Sequence, residues 1–298
     1  MLAGPLLTLI ALTAGPALSP AARLDAGLNG QRPGPERAVW AAGALLGTPY
    51  VLHPLGDAAG PEVGSRFRLD AFDCVTFVET AIALGSASRV AEAARLMDDI
   101  RYDGPPEWAN RSHYVEAQWI PANLRKGWIA EATVSIAGEL AQPIEEEVSA
   151  ESWRRAQRAG LRFPELPENR RPMGRFRIAM VPVDRLARIA DRIPAGTIAL
   201  VVRAERPWRP YRVSHLGIVV VTPDGQRLVR HATDAKGKRV VDEPFDRFVA
   251  RSGRAFPRWP LSGLAFYAIQ DNTERARELL RGPERPAEHL DQAPRARR

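Results

Sequence analysis

The stretch that most limits how this chain can fold lies between Ser214 and Thr233. Ser214-His215-Leu216-Gly217-Ile218-Val219-Val220-Val221 is dense in β-branched residues, Thr222-Pro223-Asp224-Gly225 is a turn sequence, and Arg227-Leu228-Val229-Arg230-His231-Ala232 returns. Branched side chains favour extended backbone, and turn residues between two such runs predict an antiparallel hairpin. Side chains alternate faces along a strand, so register decides which residues meet. A turn centred on Pro223 sets His215 directly opposite His231; one centred on Asp224 sets His231 opposite Gly217 and diagonal to His215. Both registers bring two of the chain's five histidines to one face, within roughly 5 to 8 Å of each other. A one-residue slip separates them.

The rest of the chain supplies helices and strands to pack on this hairpin, which gives an α+β expectation. Pro35 to Leu46 reads as a first helix ended by Gly47-Thr48-Pro49, and Arg89 to Ile100 as another. The segment from Arg111 to Gly127 is expected to be helical until Pro121 disturbs it. Pro182 to Arg192 reads as a short helix, Thr197 to Val202 as a strand entered from Pro194-Ala195-Gly196, and Leu264 to Ile269 as a last strand. Residues 139–181 are charged, Pro-containing and weakly periodic, and read as an insertion within a single domain over 36–270. Residues 271–298 read as a charged tail with one short helix.

The N-terminus differs in kind. Leu2 to Leu18 carries no charge and is rich in Leu and Ala, with Ser19, Ala21 and Ala22 following. An apolar run before a small-residue zone predicts a secretory signal over 1–22, or an N-terminal anchor. Residues 23–35, rich in Gly and Pro, read as a linker. Export bears on the one cysteine among 298 residues. It has no internal disulfide partner, and an oxidising compartment penalises a free thiol unless it is buried or used.

That cysteine opens a helical pattern. From Cys74 the apolar residues fall at 74, 75, 77, 78, 81, 82 and 84, the spacing of a helix burying one face. Asp73 stands at the N-cap, where its carboxylate accepts from the backbone N–H near Thr76. Cys74 is then the first helical residue, at the positive end of the helix dipole, which favours thiolate over thiol. A cysteine here and two imidazoles on one hairpin face form a nucleophilic set. The thiolate attacks a carbonyl, His215 carries the proton to the leaving amine, and His231 accepts from the far ring nitrogen of His215 to fix its tautomer. Zinc needs a third ligand at tetrahedral spacing, and Cys74 and His113 offer no short ligand motif. No metal or other cofactor is expected. The formal charge of +7 is partly terminal, in Arg295, Arg297 and Arg298, and no aromatic-interleaved basic stripe or nucleic-acid motif stands out. No nucleic-acid partner is expected.

These residues resemble a family. Gly47-Thr48-Pro49-Tyr50, Phe72-Asp73-Cys74, Ser214-His215-Leu216-Gly217-Ile218-Val219 and Val229-Arg230-His231-Ala232 stand in the order seen in NlpC-type papain-like cell-wall hydrolases. Gly196-Thr197-Ile198-Ala199 matches the strand that precedes the histidine strand there. Cys74-Val75-Thr76-Phe77-Val78-Glu79, where most relatives carry Cys-Ser-Gly, is similar to the exported N-acetylmuramoyl-L-alanine amidase-like branch, as is the segment running from Arg111-Ser112-His113-Tyr114 through Trp119 to Asn123 and Gly127.

The resemblance spans roughly residues 38–270. It implies a papain-like core with the nucleophile helix packed on an antiparallel sheet, Cys74 as nucleophile, His215 as base and His231 as the orienting third member. Tyr50 falls where the family places a tyrosine over the site, and the N–H of Cys74 is the implied oxyanion donor. Asp73, His113 and Tyr114 join Tyr50 as candidate substrate contacts; for His113 and Tyr114 a buried pair tying the helical segment to the core weighs equally. The implied reaction is hydrolysis of the N-acetylmuramoyl–L-alanine amide of peptidoglycan fragments, anhydro-muropeptides above all, by an exported monomer that is not inserted in the membrane once its signal is removed. The competing expectations are an endopeptidase cutting between D-Glu and the diamino acid, and a muropeptide-binding protein without catalysis.

Overall fold

The computed structural model describes residues 19–55, 65–161, 166–235 and 237–282. The apolar segment read as a signal, the middle of the loop before Phe72 and the last part of the tail lie outside them. An antiparallel sheet is the frame. Its strands are β1 (Ile129–Glu131), β2 (Gln142–Val148), β3 (Gly174–Pro182), β4 (Thr197–Arg203), β5 (Val213–Val221), β6 (Arg227–Thr233), β7 (Arg239–Pro244) and β8 (Leu261–Ile269). They run in the order β2-β3-β8-β4-β5-β6-β7, with β1 paired to β8. The helices are α1 (Pro20–Leu28), α2 (Pro35–Ala44), α3 (Cys74–Ser86), α4 (Val90–Arg101), α5 (Ile120–Lys126), α6 (Thr133–Ala137), α7 (Ala150–Arg158), α8 (Phe245–Ala255) and α9 (Thr273–Leu280). This is an α+β fold.

The hairpin adopts the second of its two registers. Ile218 pairs with Arg230 and Val219 with Val229, so the turn centres on Asp224. His231 therefore opposes Gly217, and the glycine is required there: a Cβ would stand 2.8 Å from the Cβ of His231 and from Val229. The two faces of the sheet are differently covered. Leu216, Ile218 and Leu200 pack with Phe77 and Val78 of α3, whereas Val219, Val229 and Phe266 pack with Phe245 and Phe248 of α8.

The capping expectation for α3 is met. Asp73 Oδ1 accepts from the Thr76 N–H at 2.8 Å, and Thr76 Oγ1 accepts from the Asp73 N–H at 3.0 Å, so the threonine closes a reciprocal cap. The helix does not, however, expose one side. Every residue from Thr76 to Ser86 is buried, because α2, α4 and the sheet enclose it. Glu79 is the one carboxylate in that buried run; it is neutralised by Arg101 Nε at 2.7 Å and accepts from Trp119 Nε1 at 3.1 Å.

Two local expectations are corrected. The stretch read as a linker begins inside α1, whose Leu24 and Leu28 are buried in the main core and whose Asp25 caps α4 by accepting from the Val90 N–H at 2.6 Å. Its apolar residues, not its Gly and Pro content, decide its place. Pro121 does not end a helix but sits in the first turn of α5, where a missing N–H costs nothing. A π turn, Val115–Trp119, precedes it. Within residues 139–181, the stretch read as an insertion, β2 and β3 pair along their length and extend the sheet, with α7 between them packing Trp153 against Tyr114, Val148 and Leu166. Among the described residues no helix is long and apolar enough to cross a membrane.

Candidate active site

Cys74 is the first residue of α3 and is half-buried. Its sulfur lies against β5, within reach of the backbone N–H of Leu216. The thiol therefore abuts the peptide that leads out of His215. Its ionisation departs from the sequence expectation. Burial first, then the Asp73 carboxylate, push the thiol up to about 12, against the N–H groups of Leu216, Cys74 and Val75, which favour the thiolate. The helix terminus acts in the expected direction, but desolvation is the larger effect. The resting sulfur is a thiol.

His215 Nε2 lies 2.9 Å from His231 Nδ1, with the two rings nearly perpendicular. The diagonal placement across β5 and β6 thus becomes a direct bond. Both rings pack against Phe248 of α8, at centroid distances of 6.0 and 5.2 Å. Burial, then the proximity of His231, Arg251 and Arg203, hold His215 well below its ordinary range, so it is a neutral imidazole at neutral pH. Just before it, Ser214 is the extra residue of a bulge: Val201 pairs with His215 and Val202 with Val213. Ser214 Oγ accepts from Arg203 Nε at 2.8 Å and is engaged in holding the strand end.

The polar line continues past the histidines. His231 Nε2 lies 3.1 Å from Glu243 Oε2, and Arg251 Nε lies 2.8 and 3.2 Å from the two oxygens of the same carboxylate. Burial raises the Glu243 carboxyl, but the bonds from His231 and Arg251 outweigh it and hold it below the ordinary carboxylate range. Sequence reasoning missed both residues. Glu243 stands on β7, whose Arg239-Val240-Val241-Asp242-Glu243-Pro244 has only two β-branched residues to mark a strand. Once β7 pairs with β6, His231 opposes Val241 and Val229 opposes Glu243, so parity alone puts Glu243 on the histidine face.

The remaining candidates divide. Tyr50 is bridged to Phe72, and its phenol is pushed up by burial first and by the nearness of Cys74 and Asp73 next. It belongs beside the thiol. Asp73 is committed to the helix cap. His113 and Tyr114 are placed by structural contacts: His113 Nε2 lies 2.9 Å from the Trp108 carbonyl oxygen and its ring 4.3 Å from Trp108, while Tyr114 packs edge-on to Trp153 at 5.1 Å. By these contacts His113 is held within its own segment and Tyr114 packs on α7, so they do not tie the pair to the main core as the structural alternative had it. Among the described residues no group of three His, Cys, Asp or Glu side chains gathers where a metal ion could be held.

The chain matches the family model described as N-acetylmuramoyl-L-alanine amidase-like over residues 41–254, which includes Cys74, His215, His231 and Glu243. No curated protein matches it. Among solved structures it is similar to a protein from Legionella pneumophila, at 19% identity and a TM-score of 0.68, with 83% of this chain and 92% of that one covered. It is also similar to an N-acetylmuramoyl-L-alanine amidase from Bacteroides uniformis, at 22% identity and a TM-score of 0.59, covering 78% of this chain and 97% of that one. A Bacteroides fragilis structure provisionally named a xylanase matches at 22% identity and a TM-score of 0.58, over 76% of this chain and 98% of that one. At such identities the likeness speaks for a shared fold, and the differing names do not decide the activity.

Proposed function

We propose that this chain, which belongs to the N-acetylmuramoyl-L-alanine amidase-like family, is an exported cysteine amidase with a papain-like, NlpC-type core. Its reaction is hydrolysis of the amide joining the lactyl group of N-acetylmuramic acid to L-alanine in peptidoglycan fragments, including anhydro-muropeptides. The observation that carries the reading is the meeting of the Cys74 sulfur with the His215–Leu216 peptide, while His215 is bonded through Nε2 to His231.

With Nε2 engaged, Nδ1 is the ring nitrogen of His215 left for the thiol. A neutral imidazole beside a protonated thiol makes the pair a base and an acid at rest. In this reading the proton leaves sulfur for Nδ1 as the sulfur attacks the lactyl carbonyl carbon, so the thiolate forms only when it is used. The carbonyl oxygen takes up the negative charge and faces the N–H of Cys74. His215 then gives its proton to the alanine nitrogen as the C–N bond breaks, and water, deprotonated by the same imidazole, hydrolyses the thioester. Tyr50 closes the site beside the sulfur. Asp73, occupied as a helix cap, is a poor receptor for a free amine, which weighs against the endopeptidase alternative.

Mass spectrometry of the products formed from a purified anhydro-muropeptide and from intact peptidoglycan tests this, for wild type and Cys74→Ala. The expected result is free stem peptide from wild type and none from Cys74→Ala. A product that retains sugar, L-Ala and D-Glu would move the cut to the stem peptide, and binding without turnover would remove catalysis from the reading.

A further inference from the structure

We propose that Glu243 is a positioning residue that sets the proton arrangement of the whole line, acting through His231 on His215 and never touching the substrate. The inference rests on the cysteine–histidine reading above and adds to it a fourth member, with Arg251 as its support.

The argument is one of donors and acceptors. An ionised carboxylate only accepts hydrogen bonds. Glu243 Oε2 at 3.1 Å therefore requires a hydrogen on His231 Nε2. A neutral imidazole carries one such hydrogen, so His231 Nδ1 is left as an acceptor. The 2.9 Å contact then requires the hydrogen to sit on His215 Nε2. That in turn leaves His215 Nδ1 with a lone pair, the only arrangement in which it can take the thiol proton. The reverse arrangement sets an unprotonated His231 nitrogen against a carboxylate, two acceptors at hydrogen-bond distance, and is excluded while Glu243 is charged.

The surroundings keep Glu243 charged and in place. Arg251 Nε contacts both of its oxygens, and the same guanidinium lies 5.4 Å from the Phe248 ring centroid, the ring on which both imidazoles rest. Glu243, His231 and His215 occupy three neighbouring strands, each diagonal to the next. When His215 becomes a cation, the negative charge it meets is the Glu243 carboxylate at the far end of His231. No proton needs to pass along the line: one S–H bond breaks, one N–H bond forms at Nδ1 of His215, and the charge is balanced through two hydrogen bonds.

The test is the pH dependence of Cys74 alkylation by iodoacetamide in the full chain, for wild type, Glu243→Ala and Glu243→Gln, with thermal unfolding measured on each. The readout needs no substrate, so a failed amidase reading leaves it intact. Glu243→Ala frees His231 to adopt either tautomer, and alkylation at pH 7 is expected to fall by roughly tenfold or more, with the rise in rate displaced to higher pH. Glu243→Gln presents an acceptor without the charge and is expected to recover part of that loss. Profiles of both variants that superimpose on wild type would overturn the proposal. So would equal losses in the two variants that track their unfolding temperatures. Should Glu243→Ala fail to fold, Glu243→Gln decides alone: a displaced profile supports the role and an unchanged one removes it.

Discussion

Two buried glutamates stand behind the two halves of the candidate site, and the fold treats them in opposite ways. Glu79 lies on the helix that begins with Cys74. Each of its oxygens has a partner, Trp119 Nε1 at 3.1 Å and Arg101 Nε at 2.7 Å, and the carboxylate and guanidinium are each 2% exposed. Glu116 lies behind the strand that carries His215. One oxygen receives the N–H groups of Arg212 and Val213, at the entry to β5, while the other has no partner. Burial raises the Glu116 carboxyl above its ordinary range. It faces Glu146 and Arg212 across a cavity of about 10 Å³, room for about one water. Glu146 also has an unpartnered oxygen, and burial, then the charges of Glu205 and Glu116, push it up to about 7. The Cys74 helix is braced by a closed ion pair, the entry to β5 by a half-partnered carboxyl that burial raises. Buried charge is tolerable when matched, and unmatched carboxyls avoid it by staying neutral.

The comparison breaks most visibly at Arg101. Arg101→Ala leaves the Glu79 carboxyl behind α3 without its cation and with Trp119 as its remaining described donor, a loss on the order of 3 to 5 kcal/mol. In a domain of this size each kcal/mol moves the midpoint by roughly 2 to 4 °C, so unfolding should begin on the order of 10 °C lower. Thermal unfolding followed by circular dichroism reads this directly. A shift of only a degree or two would show that the ion pair is not what holds the helix.

The strand side answers to a smaller change. Glu116→Ala removes the acceptor for two backbone N–H groups and should cost about 1 to 3 kcal/mol in urea unfolding. Glu116→Gln retains a carbonyl oxygen for them and, since burial already disfavours the charged carboxylate, should lose less. Equal losses for the two variants would mean that the acceptor oxygen is not what holds the entry to β5, and the contrast with Glu79 would fall.

How much of this was legible in the sequence differs by region, for physical reasons. The helix start at Cys74 and the hairpin were legible because local chemistry fixes them: an N-cap aspartate, a turn sequence and a run of β-branched residues act within a few positions. The register was narrowed to two choices, and in the one the structure takes His231 and Val229 crowd position 217 so that only glycine fits. What could not be read is whatever depends on three elements at once. Glu243 meets His231 only after β7 joins β6, and Arg251 reaches it from α8. The protonated state of Cys74 depends on burial by residues far apart in the chain, which outweighs the helix terminus that the sequence does reveal.

The smallest effect is the most discriminating, because it depends on the sign of a titration. Glu146 holds its proton to about 7 in the fold, against an ordinary value of 4.5. Between those values the folded chain binds more protons than the unfolded one, so this group's contribution to stability falls as pH rises from 4.5 through 7 and is level above. Glu146 is partly exposed, and screening limits the loss to on the order of 1 kcal/mol. His215 and His231 act in the other direction, since both are held below 6.5 in the fold; their contribution rises with pH up to that point. Glu243, held low, acts only on the acid side of 4.5. The carboxyl pair is therefore isolated by subtraction, from urea midpoints of wild type and Glu146→Gln between pH 5 and 8. The variant should be the more stable at pH 8 and should lose that advantage towards pH 5. A difference that does not vary with pH would mean that Glu146 carries no proton in the fold over that range, and the contrast between the two carboxyl environments would narrow to their hydrogen bonds.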